Sequence, residues 1–134
     1  MCIFCKIINH DIPSKVVYED DEVLAILDIS QITRGHTLVM PKEHVDDVLS
    51  CPPVLLSKLM CVAQKISKEL IEKLDAKGIN ILTNAKEIAG QTVPHFHIHV
   101  IPRYNEHDGC KITFISSQDP QLDTTLKALK KQHK

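Results

Sequence analysis

The stretch His95-Phe96-His97-Ile98-His99-Val100-Ile101 sets three imidazoles in strict alternation with bulky apolar side chains. A period of two is the signature of a β-strand, whose successive side chains point to opposite faces. His95, His97 and His99 therefore share one face, and Phe96, Ile98 and Val100 share the other. The apolar set is predicted to pack on a helix, and the strand is expected to run from Phe96 to Ile101 and to stop at Pro102. Histidine is a scarce residue with site chemistry, so three on one face mark a functional strand. Two chemistries are open to such a face. Three histidines could ligate one metal ion, but same-face neighbours on a strand lie about 6.5–7 Å apart. Three bonds of about 2 Å to one ion are then strained. Alternatively, a neutral imidazole can attack phosphorus while its neighbours hold the phosphate oxygens.

Working outward, Val54 to Leu74 is the clearest helix. Leu55, Leu59, Ala63, Ile66, Leu70 and Leu74 recur at three- and four-residue steps with Lys, Gln and Glu between them. Pro52-Pro53 suits its first turn and Gly78 its exit. Ile3 to Ile8 has helical spacing. Val16-Val17-Tyr18 and Val23 to Leu27 flank the acidic turn Glu19-Asp20-Asp21-Glu22 and read as a hairpin. Thr37 to Met40 reads as a strand stopped by Pro41, and Ile79 to Thr83 as another. Residues 85–94 form a loop carrying Gly90 and Pro94, residues 104–120 are mostly irregular, and Leu122 to Lys131 is a short amphipathic helix. The strand connections are too short for crossover helices. The expectation is an α+β fold of two layers, with about five antiparallel strands, one long helix and short terminal helices.

At 134 residues the chain, 1–134, is expected to be a single domain. Sixteen Lys and Arg against seventeen Asp and Glu leave a net charge of -1, with no basic excess to hold nucleic acid or an anionic membrane. No apolar run is long enough to span a bilayer. The N-terminus lacks a signal-peptide pattern, so a cytoplasmic location is expected. The five Cys are odd in number and unevenly spaced, which suits free thiols or a metal site rather than a disulfide framework. Cys51, Cys61 and Cys110 have no partner at ligand spacing, and His10, His107 and His133 sit in polar, solvated stretches.

The segment His95 to Ile101 resembles the signature of the histidine triad (HIT) nucleotide-binding superfamily. Further blocks resemble its Hint branch in order and spacing: Cys2 to Ile8, Asp11 to Lys15, Tyr18 to Asp21, Leu27-Asp28-Ile29 and Gly35 to His44. Gly90-Gln91-Thr92-Val93 is similar both to that branch and to the dinucleoside polyphosphate hydrolases. The resemblance covers residues 2–103 and leaves 104–134 as an extension of unassigned role.

That resemblance implies a set of roles. His97 would be the nucleophile of a covalent nucleotidyl-histidine intermediate, and His99 and His36 would contact the phosphate. Thr92 stands where the Hint branch usually has a Ser that helps protonate a leaving amine. Asp28 would accept hydrogen bonds from the ribose hydroxyls; Ile3, Phe4, Ile7, Ile26, Ile29 and Leu38 would wall the purine. Asn84, Gly90 and Gln91 fall on the phosphate side. The implied activity is hydrolysis or transfer on purine nucleoside 5′-phosphoramidates, of the adenosine 5′-monophosphoramidate type, by a homodimer. Hydrolysis of dinucleoside polyphosphates, and a nucleotide-binding regulator with little turnover, are the alternatives. Related galactose-1-phosphate uridylyltransferases and some bacterial Hint-like proteins hold a structural zinc between a Cys-x-x-Cys, a His after a Pro and the first triad His. The matching positions are Cys2, Cys5, His44 and His95.

Overall fold

A computed structural model describes residues 2–131; His133 lies outside the described residues. The elements run α1 (Ile3–Ile8), β1 (Val16–Glu19), β2 (Val23–Leu27), β3 (Thr37–Pro41), α2 (Pro53–Leu74), β4 (Gly78–Leu82), β5 (Ile98–Arg103) and α3 (Leu122–Lys131). The strands form one sheet in the order β1-β2-β3-β5-β4, and every neighbouring pair is antiparallel. The expected α+β class and strand number are therefore present. No described helix is long and apolar enough to cross a membrane.

Apolar periodicity fixes the two layers. Leu55, Leu59, Val62, Ala63, Ile66 and Leu70 of α2 are buried against Val23, Ala25, Val39, Phe96, Ile98 and Val100 of the sheet. The alternation read in the sequence thus places Phe96, Ile98 and Val100 under the long helix. The opposite face carries a smaller cluster: Phe4 from α1 with Leu24, Ile26, Leu38 and Met40. Burying side chains of this size contributes about 1.5–3 kcal/mol each, enough for the two clusters to decide which way each strand faces.

The structure corrects two expected strand ends. β3 includes Pro41 and β5 includes Pro102. The Lys42 amide donates to Glu22 and the Arg103 carbonyl accepts from Lys77, so both groups point to neighbouring strands. In a strand the adjacent residues then point the other way. The missing N–H of Pro41 faces the side where pairing with β5 ends at Ile98, and that of Pro102 the side where pairing with β3 ends at Val100. Neither proline removes a ladder bond. Their carbonyls are both used, Pro41 by the His95 ring and Pro102 by Thr33 Oγ1. The exit from α2 also differs from the expectation. Asp75, not a glycine, adopts the left-handed conformation there, and its amide donates to Leu70; Asp is among the residues that tolerate this region. Gly78 instead opens β4.

Gly35 does need to be glycine. Its φ is +97°, and a Cβ there would stand 2.7 Å from Leu70 Cδ2 and 3.1 Å from Leu74 Cδ1. The bare backbone lets the loop before β3 press onto α2 and delivers His36. Gly35→Ala is expected to destabilise the protein by about 1–3 kcal/mol through overpacking and strain. Urea denaturation with an unchanged m-value would measure the loss.

Candidate active site and metal centre

The strand β5 begins later than the sequence suggests, at Ile98. His95 lies in a bend, its amide donating to the Val93 carbonyl at 2.8 Å, and the Phe96 amide donates to the Val45 carbonyl at 2.6 Å. The His95 ring lies against His44, centroids 4.9 Å apart, while His97 and His99 are side by side at 5.0 Å. Phe4 of α1 packs edge-on against both His95 and His97, at 5.9 and 4.9 Å. The three histidines thus divide into two groups.

The first group is His97, His99, His36 and Asp28. The His97 Nδ1–H lies 2.7 Å from the His95 carbonyl oxygen, an acceptor, which fixes that proton on Nδ1. Nε2 is then the bare, nucleophilic nitrogen, and no described residue hydrogen-bonds to it. The His97 carbonyl is itself held by Thr83 Oγ1 at 2.7 Å. The His36 ring is almost wholly buried, and its Nε2 faces His99 Nδ1 at 3.0 Å. The Ile32 amide donates to His36 Nδ1. An amide can only donate, and this contact of 3.5 Å, at the long limit of a hydrogen bond, favours the tautomer in which His36 Nε2 carries the proton and gives it to His99 Nδ1. The proton of His99 then sits on its own Nε2. A bare nitrogen on His97 stands next to a proton-bearing one on His99.

Burial lowers the pKa of all three rings. For His97 desolvation outweighs the hydrogen bond to His95, for His36 it outweighs the Asp28 charge, and for His99 burial beside two other imidazoles brings the value to about 4. The cluster is therefore neutral at physiological pH, as both the tautomer chain and a nucleophilic imidazole require. Asp28 Oδ1 accepts from the Ser30 amide at 2.8 Å. Its Oδ2 stands 3.8 Å from His36 Nδ1, beyond a hydrogen bond, and keeps lone pairs for another donor.

Of the expected apolar wall, Phe4, Ile26 and Leu38 pack together and Ile7 lies against them. Ile3 is half exposed, and Ile29 is 97% exposed and apart from the cluster. Asn84 donates to the Gly90 carbonyl at 3.4 Å. Gln91 donates to the Asp46 carbonyl and accepts from the Lys86 amide, so it braces the loop. Thr92 is exposed in an open cleft with Asp46, Asp47, Lys86 and Gln91.

The second group is Cys2, Cys5, His44 and His95. One ligand atom from each lies within 4.8 Å of all the others. The two Sγ atoms are 3.1 Å apart, sulfur-to-Nδ1 distances run from 3.3 to 3.6 Å, and the two Nδ1 atoms are 3.2 Å apart. A tetrahedral zinc with bonds of about 2.0–2.3 Å sets its ligands about 3.3–3.8 Å apart. The sulfur–nitrogen and nitrogen–nitrogen distances fit that spacing to within a few tenths of an ångström, and the two sulfurs, 3.1 Å apart, need to part by about 0.7 Å. The remaining ring nitrogens are also occupied. His95 Nε2 donates to the Pro41 carbonyl at 2.8 Å, and His44 Nε2 lies 3.2 Å from an Asp46 carboxylate oxygen. Such outer partners orient metal-bound imidazoles. Asp46 was not singled out in the sequence, although its position two residues after His44 was visible there. Burial raises the Cys2 thiol, but hydrogen bonds from Cys5 and the His44 imidazole outweigh it and hold the pKa below its usual value. Cys51 and Cys110 are buried and Cys61 is exposed, and none of them belongs to this cluster.

The chain is similar to known proteins in sequence and in fold. The HIT domain family matches residues 9–106. A crystal structure of a HIT family protein from Bacillus anthracis is 44% identical, covers 99% of this chain and 97% of its own, and superposes with a TM-score of 0.91. A zinc-bound histidine triad family protein from Mycobacterium smegmatis is 40% identical, covers 97% of this chain and 96% of its own, and has a TM-score of 0.77. Adenylylsulfatase HINT3 of Arabidopsis thaliana is 37% identical over 102 residues, which are 76% of this chain and 52% of that protein. With the family matched across most of its length and a relative of this identity matched nearly end to end, the chain belongs to the HIT domain family.

Proposed function

We propose that the protein binds a purine nucleotide and hydrolyses, or transfers the nucleotidyl group of, nucleoside 5′-phosphoramidates through a nucleotidyl-His97 intermediate. The observation that carries this reading is the His97 ring, whose Nδ1 proton is committed to the His95 carbonyl and whose Nε2 is left bare beside His99. Nε2 attacks the α-phosphorus, a phosphorus–nitrogen bond to His97 forms, and the bond to the leaving amine breaks. The amine takes a proton, for which the Thr92 hydroxyl is the assigned relay. Water then attacks the same phosphorus, restoring His97 and releasing the nucleoside monophosphate. The proton on His99 Nε2 stabilises the charge gathering on the phosphate oxygens, and Asp28 Oδ2 accepts from the ribose. Phe4, Ile26 and Leu38 supply the apolar side of the nucleoside pocket.

Turnover of a panel tests this: an adenosine phosphoramidate, adenylyl sulfate, a dinucleoside polyphosphate and guanosine counterparts. Amine release in preference to the others is expected. The name of the HINT3 relative favours sulfate as the second leaving group, since adenylyl sulfate keeps the same nucleotidyl half. Tight nucleotide binding with no product from any member would point to a regulator instead.

Two further assignments belong to this reading. Cys2, Cys5, His44 and His95 hold a structural zinc. A closed four-ligand site contributes folding energy and fixes position rather than activating water. Thiolate ligands of this kind suit a reducing compartment, which supports a cytoplasmic location. The protein is also assigned as a homodimer. β4 is an edge strand with Ile81 and Leu82 each more than two-fifths exposed, and the neighbouring α2 surface exposes Met60 and Ile71. An unpaired apolar edge is a liability that a two-fold partner removes. Light scattering at micromolar concentration is expected to give the mass of two chains.

A further inference from the structure

Gln31 stands outside the residues to which the family resemblance gives a role, yet its side chain makes three hydrogen bonds inside the loop that joins two of them. Asp28 is the first residue after β2, and His36 is the last before β3. The regular pairing of these strands ends at Leu27 and Thr37. Both functional side chains therefore hang one step beyond the ladder. One backbone bond continues it, from the Asp28 amide to the His36 carbonyl at 3.0 Å. Residues 29–35 between them run through bends and a turn.

The Gln31 carboxamide closes this loop. Its Nε2 donates to the Asp28 carbonyl at 2.6 Å and to the His36 carbonyl at 2.8 Å. Its Oε1 accepts from the Gly35 amide at 2.7 Å. Two carbonyls at one end and an N–H at the other settle which end is the nitrogen. The third bond falls on Gly35, the residue of the loop with the most backbone freedom, and holds it at its φ of +97°.

The two bracketing residues depend on this clamp unequally. His36 is almost wholly buried and is held by its packing, with the Ile32 amide and His99 on its ring. Asp28 is partly exposed, and its Oδ1 is oriented by the amide of Ser30, a member of the same loop. A donor that moves with the loop cannot by itself fix where the loop stands. We infer that Gln31 is a positioning residue for nucleoside recognition: by fixing the Asp28 backbone it sets where Asp28 Oδ2 stands, and with it the preference for a ribose diol over a sugar without one. This rests on the ribose role proposed for Asp28. Both Gln31 donors are committed to the chain, so Gln31 acts through Asp28 and not on the sugar.

A brace of the fold would weaken every nucleotide alike, whereas a positioning residue weakens only what Asp28 reads. The full chain, supplied with zinc, is titrated calorimetrically with AMP and with 2′,3′-dideoxyadenosine 5′-monophosphate. The wild type is expected to bind AMP about tenfold or more tighter, the worth of a hydrogen bond to a charged acceptor. Asp28→Ala is expected to bring the ratio to about one. Gln31→Met keeps the length of the side chain and makes none of the three bonds. It is expected to cut the ratio to about threefold or less and to leave the dideoxy affinity nearly unchanged. In an Asp28→Ala background it is expected to change the ratio no further, because the two residues act through one contact. A wild-type ratio retained in Gln31→Met, or an equal loss for both nucleotides, overturns the inference and leaves the role of Asp28 standing. A wild type with no ribose preference, or a preference that survives Asp28→Ala, overturns the ribose reading and the inference with it. Thermal melts accompany each titration. If Gln31→Met does not fold, Gln31→Glu takes its place, since it keeps the acceptor for Gly35 and lacks both donors; the same fall in ratio is expected, and the added charge meets the same phosphate in both nucleotides. Loss of the fold in both variants makes Gln31 a brace and overturns the inference.

Discussion

His97→Ala is expected to abolish turnover, by about 10³-fold or more, while the protein keeps its fold and still binds AMP. The loss should exceed that of its neighbours, because only His97 forms and breaks a bond. His99→Ala removes the proton-bearing donor at the end of the His36 chain, and His36→Ala removes what holds that donor in its tautomer. Loss of one charge-stabilising donor typically costs about 10²–10³ in rate. The groups proposed to bind the nucleoside, Asp28 and the Phe4–Ile26–Leu38 cluster, are separate from the His97 Nε2, so AMP affinity is expected to stay within a few-fold. The His97 ring does pack against Phe4 and His99, so thermal unfolding should be followed in parallel to separate a lost nucleophile from a loosened pocket. Rapid quench of the wild type with radiolabelled substrate is expected to trap an acid-labile, base-stable adduct that maps to His97. Retention of more than a few per cent of activity by the alanine variant, or an adduct elsewhere, would return the chemistry to another group.

Why the triad was legible, and where it was not, follows from which contacts are local. Alternation over residues 95–101 correctly assigned Phe96, Ile98 and Val100 to the helix-facing side, because side-chain direction along an extended chain is set by the chain itself. It did not reveal that the ladder starts only at Ile98. The Phe96 amide leaves the sheet for the Val45 carbonyl, a partner fifty-one residues away in the chain that no local pattern announces. Around that bond His95 sits with His44, Cys2 and Cys5 while His97 and His99 sit with His36, so what reads as one three-imidazole face divides into two clusters. The prolines misled for the same reason. Pro41 and Pro102 read locally as strand stops, but their cost depends on which side of the sheet the missing N–H faces, and that is fixed by where β3 and β5 end. The exposure of Ile29 is likewise a matter of what other surface is present, not of the residue's own character.

Purified under reducing conditions with zinc supplied, the protein is expected to hold about one zinc per chain and to lose it on Cys5→Ser. The geometry makes α1 the element at stake. It carries Cys5 and Phe4 and is capped by Cys2. A short helix of six residues cannot hold itself in water, so its position rests on the packing of Phe4, Ile7 and Ile8 and, in the proposed holo-protein, on the metal as well. Zinc binding to a site that forms only in the folded state is folding free energy. Chelation should therefore speed amide exchange across residues 2–8 and lower the melting temperature, with smaller change in the sheet core under α2. Asp46→Asn offers a graded check, because Asp46 is not one of the four proposed ligands and its carboxylate lies 3.2 Å from His44 Nε2. Loss of such an outer partner typically lowers metal affinity about 10–100-fold. Competition with a chromophoric chelator should then rank wild type above Asp46→Asn and Asp46→Asn above Cys5→Ser. Because Phe4 leans on both His95 and His97, the metal-free protein should also bind AMP more weakly, which ties the zinc to the pocket without making it part of the reaction. Elemental analysis finding only a small fraction of a zinc per chain, unchanged by Cys5→Ser, would refute the metal site.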